Sequence, residues 1–142
     1  MTPTAQHLLN ACIMTLATPP RPEDAGVFAA ARIRLVALTN RLAAAETADA
    51  AAVRVRENAA LRAILAEAGP AHGISTAGAG DDGDYSLTRL DAANAGLRRL
   101  LIRLHEAAEQ TGDRALDRKI LKLYRDMARW RELVLPPVKP AS

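Results

Sequence analysis

Aromatic residues are scarce. Phe28, Tyr85, Tyr124 and Trp130 make up 3% of the 142-residue chain. β-Sandwiches and β-barrels fill their strands with aromatic and β-branched side chains, so this composition argues against them. Cysteine is nearly absent. A lone Cys12 cannot staple a disulfide scaffold, and one thiol suits a reducing interior such as the cytoplasm. No stretch approaches the roughly 18–20 unbroken apolar residues of a membrane span. The N-terminus lacks the basic segment and long apolar segment of a secretory signal. The expectation is a cytoplasmic protein with no membrane contact.

What remains is rich in helix formers: 31 Ala, 19 Leu and 16 Arg, against 3 Lys. Apolar residues reach 49% and the net charge is only +3, which excludes a disordered chain. The length suits one domain of roughly 100–150 residues, read as residues 1–135 with a flexible tail at 136–142.

Periodicity predicts five helices. The first runs from about Pro3 to Ala17, capped by Thr2, with Leu9, Ile13 and Leu16 as its apolar face and Leu8 and Cys12 beside it. The second runs from Pro22 or Glu23 to Glu46. Phe28, Ala31, Leu35, Leu38, Leu42 and Ala45 follow in alternating steps of three and four, a heptad seam and the clearest periodic signal in the chain. Thr47-Ala48-Asp49 reads as a break, with Thr47 capping a third helix to Ala68 and Gly69 as its left-handed cap; so short a connection makes the second and third helices antiparallel neighbours unless they merge into one long helix. Residues 69–84, GPAHGISTAGAGDDGD, read as a flexible loop between two helical hairpins. The fourth helix spans about Ser86 to Thr111, with Leu90, Asn94, Leu97, Leu101, Leu104 and Ala108 as its seam. Asp113 caps a fifth, reaching about Leu133, with a seam of Leu116, Ile120, Leu123, Met127, Trp130 and Val134.

These elements predict an all-α fold: an antiparallel up-down four-helix bundle with an additional short N-terminal helix. One internal similarity stands out. The segment from Asn58 to Leu65 (NAALRAIL) matches that from Asn94 to Leu101 (NAGLRRLL). Two copies are too few for a solenoid, and Leu/Ala/Arg-rich helices can agree by composition alone.

No constellation for catalysis emerges. Cys12 lies five residues from His7, a poor geometry for proton transfer. The glycine-rich loop lacks the Lys-Ser or Lys-Thr pair of a phosphate cradle, and its aspartates would repel phosphate. No cofactor motif is present. His105 and Glu109, four apart on one helix face, are weak candidates for a metal or small-ligand site; carboxylate-bridged bundles need more such pairs.

The fifth helix carries the pattern of a partner-binding surface. Arg114, Arg118, Lys122, Arg125 and Arg129 form one basic stripe, with Trp130 at its end. Residues 113–142 hold eight basic and four acidic groups, so the chain's positive excess is concentrated there. A solvated bundle face has the same look. An acidic protein partner fits the stripe better than nucleic acid, because Asp117, Asp126 and Glu132 share the helix and base-stacking aromatics are missing. Asn58 and Asn94 lie beside apolar seams, where a buried Asn can fix helix register.

The pattern of Leu35, Leu38, Leu42, Asn94, Leu97 and Leu101 resembles the Leu repeats of small helical export chaperones, including those of the flagellar system. The first helix and the glycine-rich loop depart from that pattern, and no binding residue carries over. The functional expectation is a non-catalytic helical interaction module: a homo-oligomer, an adaptor or a small chaperone-like protein. A bundle binding a ligand near His105 and Glu109, and a nucleic-acid-associated protein using the last helix, are the alternatives.

Overall fold

The computed structural model describes residues 4–18, 22–80 and 83–132. These residues form four α-helices: α1 (Ala5–Ala17), α2 (Ala25–Ala68), α3 (Leu87–Thr111) and α4 (Arg114–Trp130). Short 3₁₀ turns lie at Pro22–Asp24 and Pro70–His72, and the described residues contain no strand. The expected all-α class is the observed one. Among the described residues no helix is long and apolar enough to cross a membrane. They divide into two compact units, one up to Asp49 and the other Ala50–Glu132. Thr2 and Pro3, the turn prolines Pro19 and Pro20, Asp81 and Asp82, Val134 and the 136–142 tail lie outside the described residues.

The break expected at Thr47-Ala48-Asp49 does not occur: α2 is one helix of 44 residues. The Thr47 hydroxyl donates backwards, to the Ala43 and Ala44 carbonyls at 2.9 and 3.0 Å, and so caps nothing ahead of it. The surrounding alanines have the highest helix propensity, and a single Thr and Asp do not overcome it.

The other ends are capped as local chemistry dictates. Thr4 starts α1, its hydroxyl accepting the His7 N–H. Ser86 precedes α3, but its side chain makes no cap bond. Instead the Ser86 N–H donates to Asp84 Oδ1 at 2.8 Å. That backbone bond, then the Ser86 hydroxyl, then Arg89, hold the Asp84 carboxyl below its usual pKa. Asp113 starts α4 by accepting the Ala115 and Leu116 N–H groups.

Two glycines are required for different reasons. Gly112 closes α3 at φ +70°, the left-handed conformation. Gly69 was expected to do the same for α2, yet its φ of −56° is right-handed. Its requirement is steric: a Cβ there would run into the Leu65 carbonyl oxygen and come within 2.8 Å of the Ile74 carbonyl oxygen. Gly112→Ala should cost about 1 kcal/mol, or about 4–8 °C in melting temperature. Gly69→Ala should cost more, because backbone must move; thermal melts followed by circular dichroism rank the two.

The Ala50–Glu132 unit holds the main core. Leu61, Leu65, Leu97, Leu101, Leu104 and Ile120 are all but fully buried. Each contributes about 1.5–3 kcal/mol by leaving water. Helix direction follows from the pairs at either end. Glu57 meets Arg131 and Glu67 meets Lys119, so α4 runs antiparallel to the second half of α2. Asn94 meets Arg131 and His105 meets Asp117, so α4 also runs antiparallel to α3. The second half of α2 and α3 are therefore parallel, not the antiparallel neighbours expected across the loop.

The glycine-rich segment is thus a crossover that returns the chain to its starting end. It is anchored along its way rather than left as a free connection. Ile74 enters the core, and Arg62 donates to the Gly80 carbonyl at 3.0 Å. The internal similarity acquires a meaning here. Asn58 hydrogen-bonds Asn94, and the next matched pairs, Leu61 with Leu97 and Leu65 with Leu101, are all buried. The 36-residue offset is the register of a parallel helix pair.

Candidate interaction surface

The unit up to Asp49 is an antiparallel hairpin of α1 on the first half of α2. The Ala5 N–H donates to Glu46 Oε2 at 3.1 Å. The Cys12 thiol donates to Asn40 Oδ1 at 3.6 Å and to the Val36 carbonyl at 3.8 Å. Arg32 donates to the Thr15 and Leu16 carbonyls, the latter at 2.9 Å, and so satisfies the open C-terminal end of α1. The α1 side of this seam is Ala5, Leu8, Cys12 and Thr15. The α2 side is Arg32, Val36, Thr39, Ala43 and Glu46. Small and polar residues do the packing.

The apolar rows expected to form the core are elsewhere. Leu9, Ile13 and Leu16 are 43–62% exposed, and Phe28, Leu35 and Leu38 are 42–51% exposed. Both rows sit one residue, about 100° of helix, away from the seam actually used. On α1 the row follows the seam by one residue; on α2 it precedes it. In an antiparallel pair, offsets of opposite sign turn to opposite broad faces. Ile33 is exposed on the α1-row side and Met14 on the α2-row side. The hairpin is therefore apolar on both faces, and α1 contains no charged residue. Among the described residues nothing covers either row.

On α4, Arg114, Arg118, Lys122, Arg125 and Arg129 are all exposed, as a stripe requires. Lys122 pairs with Asp126 on the same helix at 3.3 Å. Asp117 turns away from the stripe to His105, at 2.9 Å. Trp130 does not project as a recognition group. It is half-buried against the core, with the Arg56 guanidinium 5.6 Å from its ring centre. Exposed charges without partners contribute little to folding. Arg118→Glu combined with Arg125→Glu should leave helicity unchanged and shift the melting temperature by less than about 4 °C. A larger loss in a thermal melt would show that these arginines support the fold.

His105 and Glu109 approach to 3.9 Å, but the nearer partner of His105 is Asp117. The His105 ring also rests on Tyr124, centroids 5.7 Å apart. Burial raises the Tyr124 pKa, and Arg98 partly opposes this. Among the described residues no group of three His, Cys, Asp or Glu is placed to hold a metal. The cluster joins α3 to α4. Beside the loop lies a cleft of about 500 Å³, floored by Ala93 and Gly96 and bordered by Arg89, Arg99 and Asp84. It is open and mixed in charge.

At the same end of the Ala50–Glu132 unit, on the inner side of α3, is a buried polar network. Arg131 donates to both carboxylate oxygens of Glu57 and, at 3.2 Å, to Asn94 Oδ1. Asn94 Nδ2 donates to Glu57 and to Asn58 Oδ1, at 3.0 and 2.9 Å. Asn58 Nδ2 donates to the Leu90 carbonyl at 3.2 Å, and Arg54 pairs with Asp91 at 3.0 Å. Among the described residues every buried side-chain nitrogen and oxygen has a partner. The network consumes its own donors and acceptors, which makes it a register device rather than a ligand site. Asn58 and Asn94 were legible in the sequence. Glu57 and Arg131 were missed, although Arg54, Glu57 and Asn58 share an inner face with Leu61 and Leu65. No family model, curated protein or solved structure matches this chain, so the likeness to export chaperones remains one of leucine pattern.

Proposed function

We propose that this protein is a non-catalytic helical interaction module whose docking element is the α1–α2 hairpin. One observation carries the reading: the hairpin leaves two rows of large apolar side chains open to water, while the Ala50–Glu132 unit closes its own core. Contiguous apolar exposure of this kind marks a surface that meets another protein. The basic stripe of α4 offers a separate contact for acidic groups on a partner. The four-helix bundle expected from the sequence lay within one chain, with the N-terminal helix outside it; here a partner's helices cover the α1–α2 hairpin instead. The setting that fits is the cytoplasm, where the buried thiol of Cys12 stays reduced.

Leu35→Glu combined with Leu38→Glu tests the reading. Both sites are exposed in the single chain, so at concentrations where the wild type is monomeric, helicity and melting temperature should stay within a few degrees of it. At the same dilute concentration, binding of a hydrophobic dye should fall. A melting temperature lowered by 10 °C or more would show that the row is internal core, and the proposal would fail.

A further inference from the structure

We infer that the open row of α2 is covered by a second copy of the same row, packed antiparallel about a two-fold axis. This rests on the interaction-module reading above and names the occupant of one face. The row is Phe28, Ala31, Leu35, Leu38, Leu42 and Ala45; the first four are exposed, Leu42 and Ala45 are half-buried, and none of the six hydrogen-bonds or ion-pairs with α1. Alternating steps of three and four are the geometry in which side chains of one helix fill the holes of another with the same repeat.

The order of large and small residues selects the direction. With the axis between residues 36 and 37, Phe28 meets Ala45 of the second copy, Ala31 meets Leu42, and Leu35 meets Leu38. Every layer then pairs a large residue with a small one, or two of middle size, which fills the seam evenly. A parallel pairing would set Phe28 on Phe28 and Ala31 on Ala31, leaving one layer overfilled and the next hollow. The row is isologous by construction, as a two-fold contact requires.

The area is at the threshold. The exposed parts of Phe28, Leu35, Leu38 and the flanking Met14, with the smaller row positions, amount to at most about 500 Å² per copy, so the pair can bury up to about 1,000 Å², the level a specific interface must clear. The Leu9, Ile13 and Leu16 row lies on the other broad face and stays open in this dimer. Its two hairpins form an intermolecular four-helix assembly.

The test is light scattering after size exclusion, on the full chain over a tenfold concentration range, with cross-linking to read register. Wild type should be dimeric at the upper end, and Leu35→Glu/Leu38→Glu should be monomeric with its helicity intact. In a Cys12→Ala background, oxidation should cross-link a mixture of Leu35→Cys and Leu38→Cys chains, and neither variant alone. A dimer that survives the double glutamate variant, or Leu35→Cys chains that cross-link to themselves, would overturn the inference. So would a wild type monomeric throughout. In that last case the hydrophobic dye separates the two claims. Stronger binding to wild type than to the glutamate variant leaves the interaction-module reading standing with a different partner, whereas equal binding removes both.

Discussion

Replacing Arg131 with methionine should destabilise the chain by about 3–5 kcal/mol, among the largest effects of any single substitution in it. The Glu57 carboxylate is fully buried, and Arg131 donates to both of its oxygens. Methionine keeps most of the volume and removes the charge. The carboxylate then stays in the interior, with the Asn94 amide donating to it but without the Arg131 guanidinium. Most of the loss is the penalty of an uncompensated buried charge, not the net worth of the pair. It follows that Arg131→Met combined with Glu57→Gln should recover more than half of it, because no charge remains to be buried. Urea denaturation of the three variants measures the difference. A loss below about 1 kcal/mol for Arg131→Met would show that Glu57 reaches water in solution.

Leu101→Asp should unfold the Ala50–Glu132 unit, whereas Leu35→Asp should leave it folded. Both are leucines at seam positions of heptad-patterned helices. Leu101 is completely buried among α2, α3 and α4 core residues, and Leu35 is 51% exposed. Truncating a leucine like Leu101 to alanine already costs about 2–5 kcal/mol. An aspartate adds the burial of an unpaired charge, which exceeds the 5–15 kcal/mol margin of many small domains at its lower end. Far-ultraviolet circular dichroism at 25 °C distinguishes the outcomes. Native helicity and melting in Leu101→Asp would contradict the core as described.

Most of the helical content was legible because it rests on local chemistry. Pro and Gly end the helices, Asp113 caps α4, and the three-four spacing of Leu97, Leu101 and Leu104, or of Ile120, Leu123 and Met127, places their inner faces. Three features were not legible, each for a physical reason. Whether Thr47 starts a helix or rides inside one depends on where its hydroxyl finds an acceptor, and the alanines around it favour continuation. The direction of α3 depends on whether residues 69–86 turn back or cross over, and loop length permits both. Most consequentially, periodicity identifies which residues share a face but not what covers that face. Leu35 and Leu101 carry the same signal, yet one lies in the core and the other in water. α1 held a clue: it carries no charged residue, and its row Leu9, Ile13 and Leu16 lies about 100° from the seam it packs with.

Amide hydrogen exchange along α2, measured at two protein concentrations a hundredfold apart, tests the central claim most directly. Amides around Leu61 and Leu65 sit over a core that the chain closes alone, so their protection should be high and independent of concentration. Amides from Phe28 to Leu42 should be weakly protected in dilute solution and gain protection as the open row is covered. Equal, concentration-independent protection along the whole helix would mean that the hairpin is already complete in the single chain, and the docking surface described above would not exist.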